Sequence, residues 1–269
     1  MRYLLDIVRP VNSLMAMVAV FIGAFIGGMT DLSPVLLAMF SAFFITGAGM
    51  VINDYFDREV DRINRPERVI PSGLMSPRAA LIYSISLFLL GIILSIFINI
   101  WAFLLATFNS LLLIYYAKDL QKKFFAGNIA VSYLVGSTFV YGGIAVGSIN
   151  ATIILAAMAF FANTAREIFK DMEDVVGDRI NRTNSLPIKM GEEKSKRIGI
   201  IFILSGVALA PLPLLLNIFD GYYIYAIIPS IGLFLYSIYH VRRNNICPAQ
   251  KTLKFAMIIG LVAFLVGAI

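Results

Sequence analysis

Residues 79–117, AALIYSISLFLLGIILSIFINIWAFLLATFNSLLLIYYA, contain no Asp, Glu, Lys or Arg. One helix needs about 20 apolar residues to cross a bilayer core. This run is long enough for two, and Asn99 near its middle marks the turn of a helical hairpin. A second charge-free run, Phe124 to Ala165, turns at Gly147-Ser148-Ile149-Asn150, and a third extends from Ile198 to Phe219. The whole chain agrees. Of its 269 residues 59% are hydrophobic and 14% charged, and the mean hydropathy is +0.85. A soluble domain carries roughly 25% charged residues. The fold class is therefore all-α integral membrane.

Working outward from these runs gives nine spans, at about 11–29, 34–52, 78–97, 100–117, 128–146, 151–169, 198–217, 222–240 and 253–269. The last is the shortest, and an eight-span reading would leave it as an interfacial helix. Arg2 followed by an apolar run resembles a signal peptide, but Asp6, Arg9 and Pro10 interrupt it. The start reads as an interfacial segment leading into a retained helix. With nine spans, all 22 Lys and Arg fall at the amino terminus or after even-numbered spans, together with 14 of the 16 acids. The opposite face carries only Asp31 and Asp220. The positive-inside rule places the charged face in the cytoplasm of a multi-pass cell-membrane protein. No basic stretch is separable from the membrane loops, which argues against a nucleic-acid partner. Cys247 is the single cysteine, so no disulfide forms within the chain. His240 and Trp101 read as interfacial residues at opposite faces.

Topology explains the basic residues but not the acids. Two segments share one spacing: Asp54, Asp57 and Asp61, following Asn53, and Asp171, Asp174 and Asp178, following Lys170. Both are D-x-x-D-x-x-x-D, one after span two and one after span six. The pattern suggests a single 1–269 domain made of two four-helix pseudo-repeats, about 1–127 and 128–240, with a ninth helix at about 253–269. On a helix, residues spaced 0, 3 and 7 fall within an arc of about 60°. Each trio then forms one stripe of like charges, which destabilises a helix unless cations intervene. A carboxylate-rich, all-oxygen donor set suits Mg²⁺, which keeps waters and is completed by substrate phosphates. If helices two and six pack together, the clusters become jaws around a diphosphate. The competing reading, solvated acidic ends balanced by Arg58, Arg62, Arg179 and Arg182, does not explain why the pattern occurs twice.

These residues resemble the signatures of the UbiA-type intramembrane prenyltransferases. Asn53-Asp54-x-x-Asp57-x-x-x-Asp61 followed by Asn64-Arg65-Pro66-x-Arg68-x-Ile70-Pro71-Ser72-Gly73 is similar to the first. Arg166-Glu167-x-x-Lys170-Asp171-x-x-Asp174-x-x-Gly177-Asp178, with Ser185-Leu186-Pro187 and Gly191, is similar to the second. Arg9-Pro10-x-Asn12 looks like the family's entry segment, and Tyr115-Tyr116 to Gly127-Asn128 like its tyrosine/lysine loop. In that loop Lys118, Lys122 or Lys123 could supply the charge, with Gln121 in the usual lysine place. Ser185 stands where the family commonly has threonine.

The resemblance implies nine transmembrane helices in a ring around a central cavity that opens sideways to lipid. It implies Mg²⁺ held by Asn53, Asp57, Asp61, Asp171, Asp174 and Asp178, with Asp54 beside them aiding metal binding or acceptor activation. The expected partners are a prenyl diphosphate donor, a lipid or aromatic acceptor and the bilayer. Arg65 and Arg68 are candidates for diphosphate contact, with Tyr116, Lys118, Lys122, Arg166 and Lys170 behind them, and Asn12 for the acceptor. Catalysis would ionise the allylic C–O bond, with aromatic faces available to the cation. Within the family, the pattern resembles members that transfer geranylgeranyl to the free hydroxyl of geranylgeranylglyceryl phosphate in archaeal ether-lipid synthesis. The alternative is an aromatic quinone precursor such as 4-hydroxybenzoate. An ion or lipid transporter would place its ionisable groups deeper in the spans.

Overall fold

A computed structural model describes residues 2–175 and 184–269. All regular structure among them is helical: α1 Arg2–Ile7, α2 Pro10–Ile26, α3 Leu32–Asn64, α4 Pro77–Ile96, α5 Ile100–Lys118, α6 Ala126–Ala145, α7 Asn150–Glu173, α8 Leu186–Met190, α9 Glu192–Leu209, α10 Leu212–Leu215, α11 Tyr222–Arg242 and α12 Ile246–Gly267, with a 3₁₀ turn at Leu120–Lys122. Eight segments are long and apolar enough to cross a membrane, and α2, at 17 residues, is a shorter apolar helix. These nine match the expected spans in order. Three expected spans have boundaries that move by more than four residues. α3 runs 33 residues to Asn64, past the expected end near 52, and so carries the first acidic motif. The seventh span starts at Glu192 and its regular helix ends at Leu209. The last helix starts at Ile246, not 253, and its 22 residues make it a full-length span.

The chain divides into two compact units, Met1–Gln121 with Thr138–Ser148, and Lys122–Ser137 with Ile149–Ile269. In the first unit α3 is the central helix, packed against α2, α4 and α5. Small residues permit this. Ala38, Ser41, Ala42 and Ala48 of α3 are buried, and close backbone approach through such residues drives helix association where lipid is as apolar as Leu. Ser84 Oγ donates to the Ala48 carbonyl (3.0 Å) and Ser41 Oγ to that of Gly91 (2.7 Å), stitching α4 to α3. Side chains cap three helix starts: Asp31, Ser76 and Asn99 accept from Ser33, Ala79 and Ala102 backbone N–H groups. After α3, Val69, Ile70 and Met75 bury themselves against Ile7, Val8, Val51 and Ala80. That apolar plug folds residues 65–76 back over the end of α3.

In the second unit α7 takes the central place, packed against α9 and α12, while α11 packs on α12. Its core holds Ala165, Ile168, Phe169, Ile203, Val241 and Leu253. Phe202 of α9 meets Phe125, Phe160 and Phe161, with ring centroids 5.8–6.4 Å apart. His240 lies against Tyr236 and Tyr239 in the last turn of α11.

Candidate active site

The final turns of α3 present Asn53, Asp54, Asp57 and Asp61. The middle carboxylate receives two carboxamides. Asn53 Nδ2 donates to Asp57 Oδ2 and Gln121 Nε2 to Asp57 Oδ1, each at 2.8 Å. Gln121 reaches there from the 3₁₀ turn, anchored by a second bond to the Ala117 carbonyl (3.1 Å). Asp54 and Asp61 are only 4% and 6% exposed. Arg9 Nη2 donates to Asp54 Oδ1 at 2.5 Å, and Arg68 Nη1 donates to Asp61 Oδ2 at 2.6 Å and to Asp54 Oδ1 at 3.2 Å. Burying an ion costs several kcal/mol unless partners compensate it, and guanidinium, being more weakly hydrated than ammonium, suits that task. The outer carboxylates therefore have guanidinium partners, and two carboxamides orient Asp57.

Local structure explains these contacts. Arg9 takes a left-handed backbone conformation (φ 48°) immediately before α2, with Pro10 at the first helical position. Arg68 is aimed by the apolar plug on either side of which Pro66 and Gly73 turn the chain; Gly73 has φ 79°. Of the residues expected to meet a diphosphate, Arg68 thus engages the motif itself. Arg65 is exposed and caps α3, its N–H donating to the Asp61 carbonyl (2.8 Å). Asn12 is exposed with only a 3.8 Å contact to Met50 Sδ. Tyr116 is half-buried in α5, and Lys118 and Lys122 are exposed.

In the second unit, Asp171 lies in the last turn of α7 and Oδ2 accepts from Asn128 Nδ2 at 2.8 Å. The expectation of one continuous stripe is corrected here. Regular helix stops at Glu173, and Asp174 is the C-cap. Asp178 lies outside the described residues, as do Arg179 and Arg182. Arg166 and Lys170 both approach Glu167, at 2.6 and 3.6 Å. Ser185 precedes α8 with its hydroxyl buried and unpartnered among the described residues.

Among the described residues no three acidic, His or Cys side chains close into a metal cage. That is compatible with Mg²⁺, which commonly takes one or two carboxylates and leaves its other positions to water and phosphate oxygens. Asp57 and the Asn53 side-chain oxygen in the first unit, and Asp171 and Asp174 in the second, are hard oxygen donors of the type that Mg²⁺ takes.

Arg9, Gln121 and Asn128 were visible only as parts of family-like segments, and Ser132 and Asn163 were missed. Their signal was polarity inside a charge-free run: Asn163 precedes Asp171 by two helical turns on the same side of α7.

Apolar helices long enough to cross a membrane, two of them ending in hydrogen-bonded aspartates, set the class as an integral membrane protein with acidic motifs at helix ends. Residues 15–265 match the UbiA prenyltransferase family, and the chain belongs to it. It is 41% identical to digeranylgeranylglyceryl phosphate synthase of Methanothermobacter thermautotrophicus over 98% of this chain and 95% of that protein. Against the enzyme of that name from Thermococcus kodakarensis the identity is 40%, over 98% and 97%. A solved structure of digeranylgeranylglyceryl phosphate synthase superposes with a TM-score of 0.88 at 38% identity, covering 99% of this chain and 98% of that one. A UbiA homolog from Archaeoglobus fulgidus bound to GPP and Mg²⁺ shares the fold, at 20% identity, 98% and 99% coverage and a TM-score of 0.75.

Proposed function

We propose that this prenyltransferase moves a geranylgeranyl group from its diphosphate to the free hydroxyl of geranylgeranylglyceryl phosphate, releasing diphosphate and forming digeranylgeranylglyceryl phosphate. Full-length similarity to several synthases of that product supports the acceptor. The observation that carries the site is that Asp57 and Asp171, one from each motif, both accept from carboxamides. Such donors fix a carboxylate's direction toward a ligand. Asp57, Asp171, Asp174 and Asn53 hold Mg²⁺ in this reading, and Asp61 and Asp178 complete the two motifs. Bound there, the ion supplies positive charge to the diphosphate leaving group. Arg68 keeps Asp54 and Asp61 in register, while Arg65, Lys118, Lys122, Arg166 and Lys170 supply positive charge to the diphosphate and Tyr116, near the end of α5, joins them in binding it. The apolar helices exclude water from the allylic cation once the C–O bond breaks. The acceptor hydroxyl then forms the new C–O bond and gives up its proton. Asn12, exposed near the start of α2, contacts the acceptor. The charged face lies in the cytoplasm, and the two motifs descend from a duplicated four-helix unit.

The test is transfer from radiolabelled geranylgeranyl diphosphate with Mg²⁺, offering geranylgeranylglyceryl phosphate or 4-hydroxybenzoate in parallel. Product with the glycerol lipid alone is expected. Product with the aromatic acid alone would move the protein to quinone synthesis.

A further inference from the structure

We infer that Asn128, Ser132 and Asn163 form a positioning relay that sets the direction of the Asp171 carboxylate. Asn163 Nδ2 donates to Ser132 Oγ (3.1 Å), Ser132 Oγ donates to the Asn128 carbonyl (2.6 Å), and Asn128 Nδ2 donates to Asp171 Oδ2 (2.8 Å). The three are 8%, 0% and 5% exposed, in chain order. They sit within the run that contains no charged residue from Phe124 to Ala165. Buried polar groups are costly unless bonded. Here Ser132 bonds the backbone carbonyl of Asn128 while the Asn128 side chain bonds Asp171, so the two bonds to Ser132 hold the backbone of the turn from which Asn128 reaches the motif aspartate.

The relay acts at a defined point. Phe125, just before α6, has φ 54°, a conformation bulky residues rarely take. The first turn of α6, which carries Asn128, therefore starts from a constrained bend, and Ser132 ties that turn from one turn further along. Asn163 ties Ser132 to α7, the helix that bears Asp171. The first unit solves the same problem with other chemistry. Asp54, the equivalent first aspartate 117 residues earlier in the chain, receives Arg9 from a residue of φ 48° just before α2. There a guanidinium meets the carboxylate, and at Asp171 a carboxamide does.

This inference rests on the proposed role of Asp171 as a metal-holding group. Partners that orient a ligand usually change metal affinity 10–100-fold when removed. The test uses the near-isosteric pair Ser132→Thr and Ser132→Val, which fill the same space and differ in the hydroxyl. Mn²⁺ binding to the detergent-solubilised protein is followed by electron paramagnetic resonance without donor, alongside thermal unfolding and the Mg²⁺ dependence of turnover. Ser132→Val and Asn163→Leu are expected to weaken Mn²⁺ about 10-fold and raise the half-saturating Mg²⁺ equally, with Ser132→Thr restoring most of the loss. Equal Mn²⁺ affinity in the Thr and Val variants would overturn the relay. Asp171→Asn separates the two ideas. If it too binds Mn²⁺ like the unsubstituted protein, the metal role of Asp171 fails; if it alone loses binding, only the relay fails.

Discussion

Asp57 is gripped on both oxygens, by Asn53 and by Gln121, while Asp54 and Asp61 share Arg68. The two arrangements predict opposite phenotypes. Asp57→Asn should abolish turnover by removing a carboxylate proposed to hold Mg²⁺, and Mn²⁺ binding should fall with it. Gln121→Leu should lower turnover roughly 10–100-fold through Mg²⁺ affinity; unchanged Mg²⁺ dependence would remove Gln121 from the site. Arg68→Ala should instead destabilise the fold by about 3 kcal/mol, since it takes the guanidinium from buried Asp61 and leaves buried Asp54 with Arg9 alone. Unfolding in detergent would show whether that loss precedes any change in metal binding. The aspartates were legible from spacing alone. Their partners were not: Arg9 lies 45 residues from Asp54 and Gln121 lies 64 from Asp57, separations over which a sequence pattern carries no geometry.

At the scale of elements, the charge-free runs located every long helix, because a bilayer demands about 20 apolar residues from each. They could not locate the ends. A helix that leaves the membrane continues wherever its residues still favour it, as α3 does through its motif, whereas α7 ends within its own at Glu173. Nor did hydropathy predict the contact between α2 and α6 in the first unit. A Cβ on Gly23 would stand 2.1 Å from the Phe139 carbonyl oxygen, and one on Gly142 would stand 2.0 Å from that of Val20. The helices touch backbone to backbone there. Gly142→Ala should therefore force them apart and lower the unfolding temperature, whereas Gly232→Ala, at a position with nothing nearby, should not. Equal behaviour of the two variants would mean that the close approach contributes nothing to stability.

For the whole molecule, the sorting of charge predicts which face each end of a helix meets. Cys247 stands in the first turn of α12, beside the basic end of α11. A membrane-impermeant maleimide should label it in inside-out vesicles and not in intact cells; the reverse would invert the proposed orientation. Cysteine at Tyr225, 75% exposed near the start of α11, should give the opposite pattern. α3 adds a consequence of its own. At 33 residues it is a rod about 50 Å long, against a hydrocarbon core of roughly 30 Å. Its lower part answers to the lipid and its tip carries Asp54, Asp57 and Asp61. A spanning helix meets a thinner or thicker bilayer by changing its tilt, and in a rigid rod a small tilt becomes a lateral displacement at the far end. A prenyltransferase with this helix would in this way register the thickness of its bilayer, its turnover peaking in vesicles of one acyl length and falling on either side.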